Sequence, residues 1–107
     1  MSVAIQEYLD PFGRSPYARW FDGLSAPAAA KVATALYRME LGNFSNVEGV
    51  GSGIYEYKID FGPGYRIYFG KEGESLIILL GGSSKKEQQA AIASAKRAWA
   101  AYKQAKP

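Results

Sequence analysis

Hydrophobic and polar positions change their period several times along this chain, and each change predicts an element. Residues 3–8 alternate weakly, with Val3 and Ile5 set against Ala4 and Gln6, as in a first strand. Asp10-Pro11-Phe12-Gly13 breaks it. Ser15-Pro16 then opens a helix in the favoured order, the serine as N-cap and the proline at the first helical position. That helix runs to about Gly23 and offers Tyr17, Trp20, Phe21 and Leu24 at helical spacing. A second helix begins at Ser25-Ala26-Pro27 and reaches about Leu41. Its apolar stripe is Val32, Leu36 and Met39 among Ala29, Ala33 and Ala35. Gly42-Asn43 stops it. Two short helices joined by a tight turn predict an antiparallel helical hairpin, and residues 43–53, rich in Gly and Asn without a strong period, read as a loop.

The period then becomes two. Tyr55, Tyr57, Ile59 and Phe61 fall on one side of a strand, with Glu56, Lys58 and Asp60 on the other. Gly62-Pro63-Gly64 is a turn, after which Tyr65, Ile67 and Phe69 alternate with Arg66 and Tyr68. This hairpin is expected to hide one apolar face and to show Glu, Lys, Arg and Tyr on the other. A third strand, residues 75–80, is apolar on both faces and therefore central. Gly81-Gly82-Ser83-Ser84 is expected to end it as a strand-to-helix turn. From about Lys86 to Lys103, the alanine content and the spacing of Ile92, Ala95, Trp99 and Tyr102 predict a last amphipathic helix. The order is β-α-α-β-β-β-α, a small α+β domain spanning residues 1–107.

At 107 residues the chain buries roughly 60–70% of its unfolded surface, enough for a core without staples. It has no cysteine and no histidine. Disulfides, thiolate metal sites and cysteine nucleophiles are excluded, and so are the commonest general base and the commonest metal ligand. Catalysis would have to use Glu, Asp, Lys, Arg or Tyr, and no metal or other cofactor is expected. No apolar run is long enough for a membrane span, and no basic-then-apolar signal opens the sequence, so a cytoplasmic location is expected. The net charge of +3 is unevenly spread. Residues 85–107 hold Lys85, Lys86, Lys96, Arg97, Lys103 and Lys106 against Glu87 alone. Such a cluster is ordinarily a solvated helix face; beside a cationic hairpin it suits a polyanion.

Exposed sheet faces commonly carry Glu–Lys and Glu–Arg pairs for stability alone. The sharper reading gathers Lys58, Arg66 and either Lys85 or Lys86 around one anion, with Arg66 able to clamp a phosphate through its fixed fork. Tyr65 or Tyr68 would stack on a base. RNA carries its own nucleophile, the 2′-hydroxyl, so its cleavage needs only positioning, proton transfer and charge stabilisation. That chemistry is open to a chain without His or Cys.

The run Glu56-x-Lys58-x-x-Phe61-Gly62-Pro63-Gly64-Tyr65-Arg66-Ile67-Tyr68-Phe69, followed by Leu79-Leu80-Gly81-Gly82, a lysine, Gln88 and Ile92, resembles the phage-derived addiction module killer protein branch of the RelE/ParE toxin superfamily, which is HigB-like. Ile5-Gln6-Glu7-Tyr8, Trp20-Phe21-Asp22-Gly23-Leu24 and Leu41-Gly42-Asn43 extend the resemblance to nearly the whole chain. It implies a twisted, mostly antiparallel sheet with two amino-terminal helices on one face and a carboxy-terminal helix. It also implies a type II toxin–antitoxin pair, with a cognate helix-turn-helix antitoxin as partner and no membrane association. RelE-like and HigB-like members cleave mRNA on the ribosome, which makes mRNA and the ribosome the other expected partners. The family's active-site basic positions fall on Lys58, Arg66 and Lys85 or Lys86. Glu56 would orient Lys58 or Arg66, or form a purely structural salt bridge. Lys58 stands where this branch usually has Arg, and Gly-Gly-Ser-Ser-Lys-Lys replaces a shorter Gly-Gly-Asp-Lys turn.

The expectation is therefore an endoribonuclease acting on translated mRNA by metal-independent attack of the 2′-hydroxyl. Lys58 would act as base or phosphate ligand, Arg66 would stabilise the phosphorane, and Lys85 or Lys86 would protonate or neutralise the leaving 5′-oxygen. Two alternatives stand beside it: a ParE-like inhibitor of DNA gyrase, and an inactive toxin homologue that only binds a partner.

Overall fold

The structure is a computed structural model that describes residues 2–106. Its elements are β1 (Ala4–Glu7), α1 (Pro16–Asp22), α2 (Ala26–Glu40), β2 (Val47–Gly51), β3 (Ile54–Ile59), β4 (Tyr65–Glu72), β5 (Leu76–Ser84), a 3-10 turn (Lys85–Glu87) and α3 (Gln88–Ala105). Both early helices start where the sequence predicts. Ser15 Oγ accepts from the Ala18 amide and Ser25 Oγ from the Ala28 amide, with a proline in each first turn. Each helix is held mainly by the sheet, α1 over β5 and α2 over β3 and β1, where a helical hairpin was expected.

The sheet runs β1-β5-β4-β3-β2, antiparallel except for the parallel pair β1–β5. Its front buries Tyr57, Ile67, Phe69, Ile77 and Leu79 beneath Tyr17 of α1 and Val32, Ala35 and Met39 of α2. Its back buries Ile54, Tyr68, Ile78 and Leu80 beneath Ala95 and Trp99 of α3. The expected open polar face of the hairpin is therefore largely roofed by α3. Tyr102 of α3 donates to Glu72 of β4, and Lys106 also pairs with Glu72, which fastens the far end of the helix. Among the described residues, no helix is long and apolar enough to cross a membrane.

Two further features depart from the expected order. The segment read as a loop contains β2, which pairs Val47 with Tyr57 and Glu48 with Glu56. Val47 packs on the front cluster and Val50 on the back one, so neither face of this strand builds an apolar row that sequence could show. The other departure is that β5 continues through Gly81-Gly82-Ser83-Ser84. A methyl group on Gly82 would lie 2.2 Å from the Trp20 ring, so this glycine is where α1 sits down on the sheet. Gly70 plays the same part on the back, where a methyl group would lie 2.5 Å from the Trp99 ring.

Candidate functional site

The pairing register sets Lys58, Arg66 and Ser83 in one row across β3, β4 and β5, and Glu48, Glu56 and Tyr68 in the next row across β2, β3 and β4. Ser83 reaches the back face because of a bulge. Tyr68 pairs with Gly81 and Phe69 with Leu79, which leaves Leu80 as the extra residue. The bulge reverses the alternation beyond it, so Gly82 meets Trp20 in front while Ser83 meets the Tyr68 hydroxyl behind, at 3.0 Å.

Behind the row of cations lies a buried polar cluster. Glu56 is 2% exposed and accepts a hydrogen bond of 3.1 Å from Gln88 Nε2, at the start of α3. Arg66 Nε lies 3.6 Å from Glu56 Oε1, an ion-pair distance too long for a good hydrogen bond. That nitrogen is buried and has no hydrogen-bond partner among the described residues. Tyr68 is fully buried, and burial pushes its phenol above the ordinary value against a smaller downward pull from the Ser83 hydrogen bond.

In front of the cluster the row opens to solvent. Lys58 Nζ donates to Glu48 Oε1 at 2.8 Å, with both side chains well exposed. That hydrogen bond, reinforced by the lysine's charge, holds the Glu48 carboxyl below its ordinary range. The turn after β3 closes with the Gly64 amide donating to the Phe61 carbonyl, and the Lys85 amide donates to the Gly64 carbonyl at 2.7 Å. Gly64 has φ +76°, and a methyl group there would stand 3.6 Å from both Arg66 Nη1 and Lys85 Cβ. A cavity of about 210 Å3 results, lined by Lys58, Ile59, Asp60, Gly64, Arg66 and Lys85.

Of the expected site residues, Lys58, Arg66 and Lys85 line this one cavity, and Lys86 is not among its walls. Glu56 stands behind Arg66 and is buried, with Lys58 turned to Glu48 instead. Neither tyrosine joins the cations in the walls of this cavity. Tyr68 is covered completely, and Tyr65 faces the opposite side of the sheet, its ring edge-on to Trp20 at 6.4 Å between centroids. The geometry adds Glu48, Ser83 and Gln88. Glu48 was hidden with its unread strand, and Ser83 by the bulge. Gln88 was visible only as a residue of the family pattern.

Three cations from the ends of three strands line this cavity together with the Asp60 carboxylate, with the buried Glu56 behind them, and their donors are of the kind that holds a tetrahedral oxyanion. The fold that carries it is of the RelE type. A free-state mutant of the Escherichia coli toxin RelE superposes with a TM-score of 0.66 over 91% of this chain and 97% of that one, at 13% sequence identity. This is a likeness of fold. A second similarity is in sequence: an uncharacterised protein of Haemophilus influenzae is 41% identical over 52 residues, 49% of this chain. The match spans 52% of that relative, so the chain corresponds to about half its length. No family model matches the sequence.

Proposed function

We infer that this protein is the toxin of a type II toxin–antitoxin system, an endoribonuclease of the RelE and HigB kind that cleaves translated mRNA in the cytoplasm. The observation that carries the reading is the shared cavity of Lys58, Arg66 and Lys85, where Arg66 also has a buried Nε without a hydrogen-bond partner among the described residues. The RelE fold supports it, as does the Phe61-Gly62-Pro63-Gly64-Tyr65-Arg66 run, which resembles the addiction module killer branch.

A phosphodiester seated in the cavity meets the Arg66 guanidinium, whose charge the buried Glu56 carboxylate holds from behind. As the 2′-oxygen attacks, charge grows on the non-bridging phosphate oxygens, and Arg66 is aimed where that charge develops. Lys58 has to leave Glu48 to reach the phosphate. As an exposed ion pair, that contact is weak enough to exchange. Lys58 then binds the phosphate or receives the proton of the 2′-hydroxyl. Lys85 neutralises the departing 5′-oxygen or protonates it. The bonds balance: the 2′-oxygen–phosphorus bond forms, the phosphorus–5′-oxygen bond breaks, and a proton passes from one oxygen to the other.

The test is induction of the wild-type protein and of Arg66→Ala, with mapping of mRNA 5′ ends. New 5′ ends and growth arrest are expected with the wild type, and neither with a folded Arg66→Ala protein. Arrest with intact mRNA and stalled replication would move the protein to the gyrase-inhibitor class. A stable antitoxin complex without arrest would make it a binding module.

A further inference from the structure

A second cationic cavity lies on the other face of the same strand end. It measures about 270 Å3 and is lined by Lys31, Thr34, Ala35 and Arg38 of α2 together with Asn46, Tyr57, Ile59 and Asp60. Lys31, Thr34, Ala35 and Arg38 are spaced three, one and three residues apart, so they share one face of the helix. Among the described residues no carboxylate lies within ion-pair distance of Lys31 or Arg38. Lys31 Nζ sits 5.4 Å from the centre of the Phe61 ring, which draws the ammonium toward the turn between β3 and β4. Two observations tie this cavity to the one at Arg66. Ile59 and Asp60 line both. The Asn46 carbonyl also accepts the backbone amide of Lys58 at 3.1 Å, so one residue belongs to the second cavity and positions a cation of the first.

We propose that the Lys31–Arg38 cavity binds a neighbouring phosphate of the RNA strand whose scissile phosphate lies against Arg66. The inference rests on the ribonuclease reading given above. Cationic sites in succession are what a single strand requires, because each phosphate along it carries one charge. Asp60, on the common wall, repels phosphate and therefore divides the strand between the two cationic sites. An acidic protein segment matches the charge equally well, but nothing in its chemistry calls for continuity with the Arg66 cavity.

The experiment titrates isotope-labelled full-length protein with two cleavage-resistant 2′-O-methyl oligonucleotides, read by amide chemical shifts. The dinucleotide carries one phosphodiester and the tetranucleotide three. The dinucleotide is expected to move the amides around Gly64, Arg66 and Lys85. The tetranucleotide is expected to move these together with Thr34, Ala35 and Asn46. In the Lys31→Gln/Arg38→Gln protein, whose two altered side chains are exposed, tetranucleotide affinity should fall about tenfold while dinucleotide affinity holds. The slope of log affinity against log salt should flatten by about 0.7 for each phosphate released. Equal tetranucleotide binding by wild type and variant, with the Arg66 region still responding, overturns this inference and leaves the ribonuclease reading standing. No response to either oligonucleotide around Arg66 overturns both. Shifts in α2 on adding polyglutamate but not RNA overturn it in favour of a protein-facing patch.

Discussion

Lys58 and Arg66 face each other across β3 and β4, and each has its own glutamate, yet the two pairs are physically unlike. Lys58–Glu48 is the shorter, at 2.8 Å, and it lies in solvent. Arg66–Glu56 is longer, at 3.6 Å, with side chains 11% and 2% exposed. Distance alone ranks the lysine pair as the stronger, whereas burial ranks the arginine pair as the harder to break. Burial decides. Water and salt screen the exposed contact, while loss of either buried partner strands a charge in a medium that solvates it poorly. Of the two paired cations of the cavity, one is thus fixed and the other exchangeable, a division suited to a site that must hold its geometry and also admit an anion.

Loss of the fixed cation should have the largest effect. Arg66→Ala is expected to lower the rate of RNA cleavage about 10²–10³-fold, the range for removing one preorganised donor. Arg66→Lys should recover only a minor part, because the charge returns without the fork. Single-turnover cleavage assays measure both, and a fully active Arg66→Lys would show that charge alone suffices.

The next effect falls on stability. Glu56→Ala leaves Arg66 without its buried counter-ion, and unfolding by denaturant should report a loss of about 3 kcal/mol, at the low end for broken buried pairs because the guanidinium still reaches the cavity. A loss no greater than that of Glu48→Ala would abolish the distinction between the pairs. A smaller effect is expected from Gln88→Leu, which removes the donor to Glu56 at the head of α3 and should cost about 1 kcal/mol. Because Glu56 orients Arg66, that variant should also slow cleavage while leaving the apparent affinity for RNA little changed.

The exchangeable pair should give the smallest signal. At pH 7, Glu48→Gln should lower the unfolding midpoint only slightly, by the small amount that an exposed pair contributes, and change cleavage by no more than about twofold. Its trace lies in acid. The folded protein holds the Glu48 carboxyl below its ordinary value of 4.5, so whatever the pair contributes is fully present above that value. It is lost as pH falls through the folded-state pKa. The stability difference between wild type and Glu48→Gln should therefore shrink on acidification below about pH 4.5, and a difference that grows would contradict the ion pair.

The cations of the cavity were visible in the chain because each sits at a position that local rules govern. Lys58 and Arg66 lie either side of a Gly-Pro-Gly turn that fixes the hairpin register, and Lys85-Lys86 follow the last strand. Serine caps and prolines set the starts of α1 and α2, and apolar content on both faces marked β5 as interior. These are short-range consequences of backbone sterics and side-chain period, which a sequence carries directly. The choice of Lys85 over Lys86, the burial of Glu56 and Tyr68, and the turning of Tyr65 toward Trp20 depend on contacts between distant residues. A single unpaired residue, Leu80, exchanges the faces beyond it, and a glycine at position 82 admits an indole where the sequence suggested a turn. Local preference sets what each segment is. Only packing, which sums many weak contacts over the whole chain, sets which face is covered and which cations are left to meet.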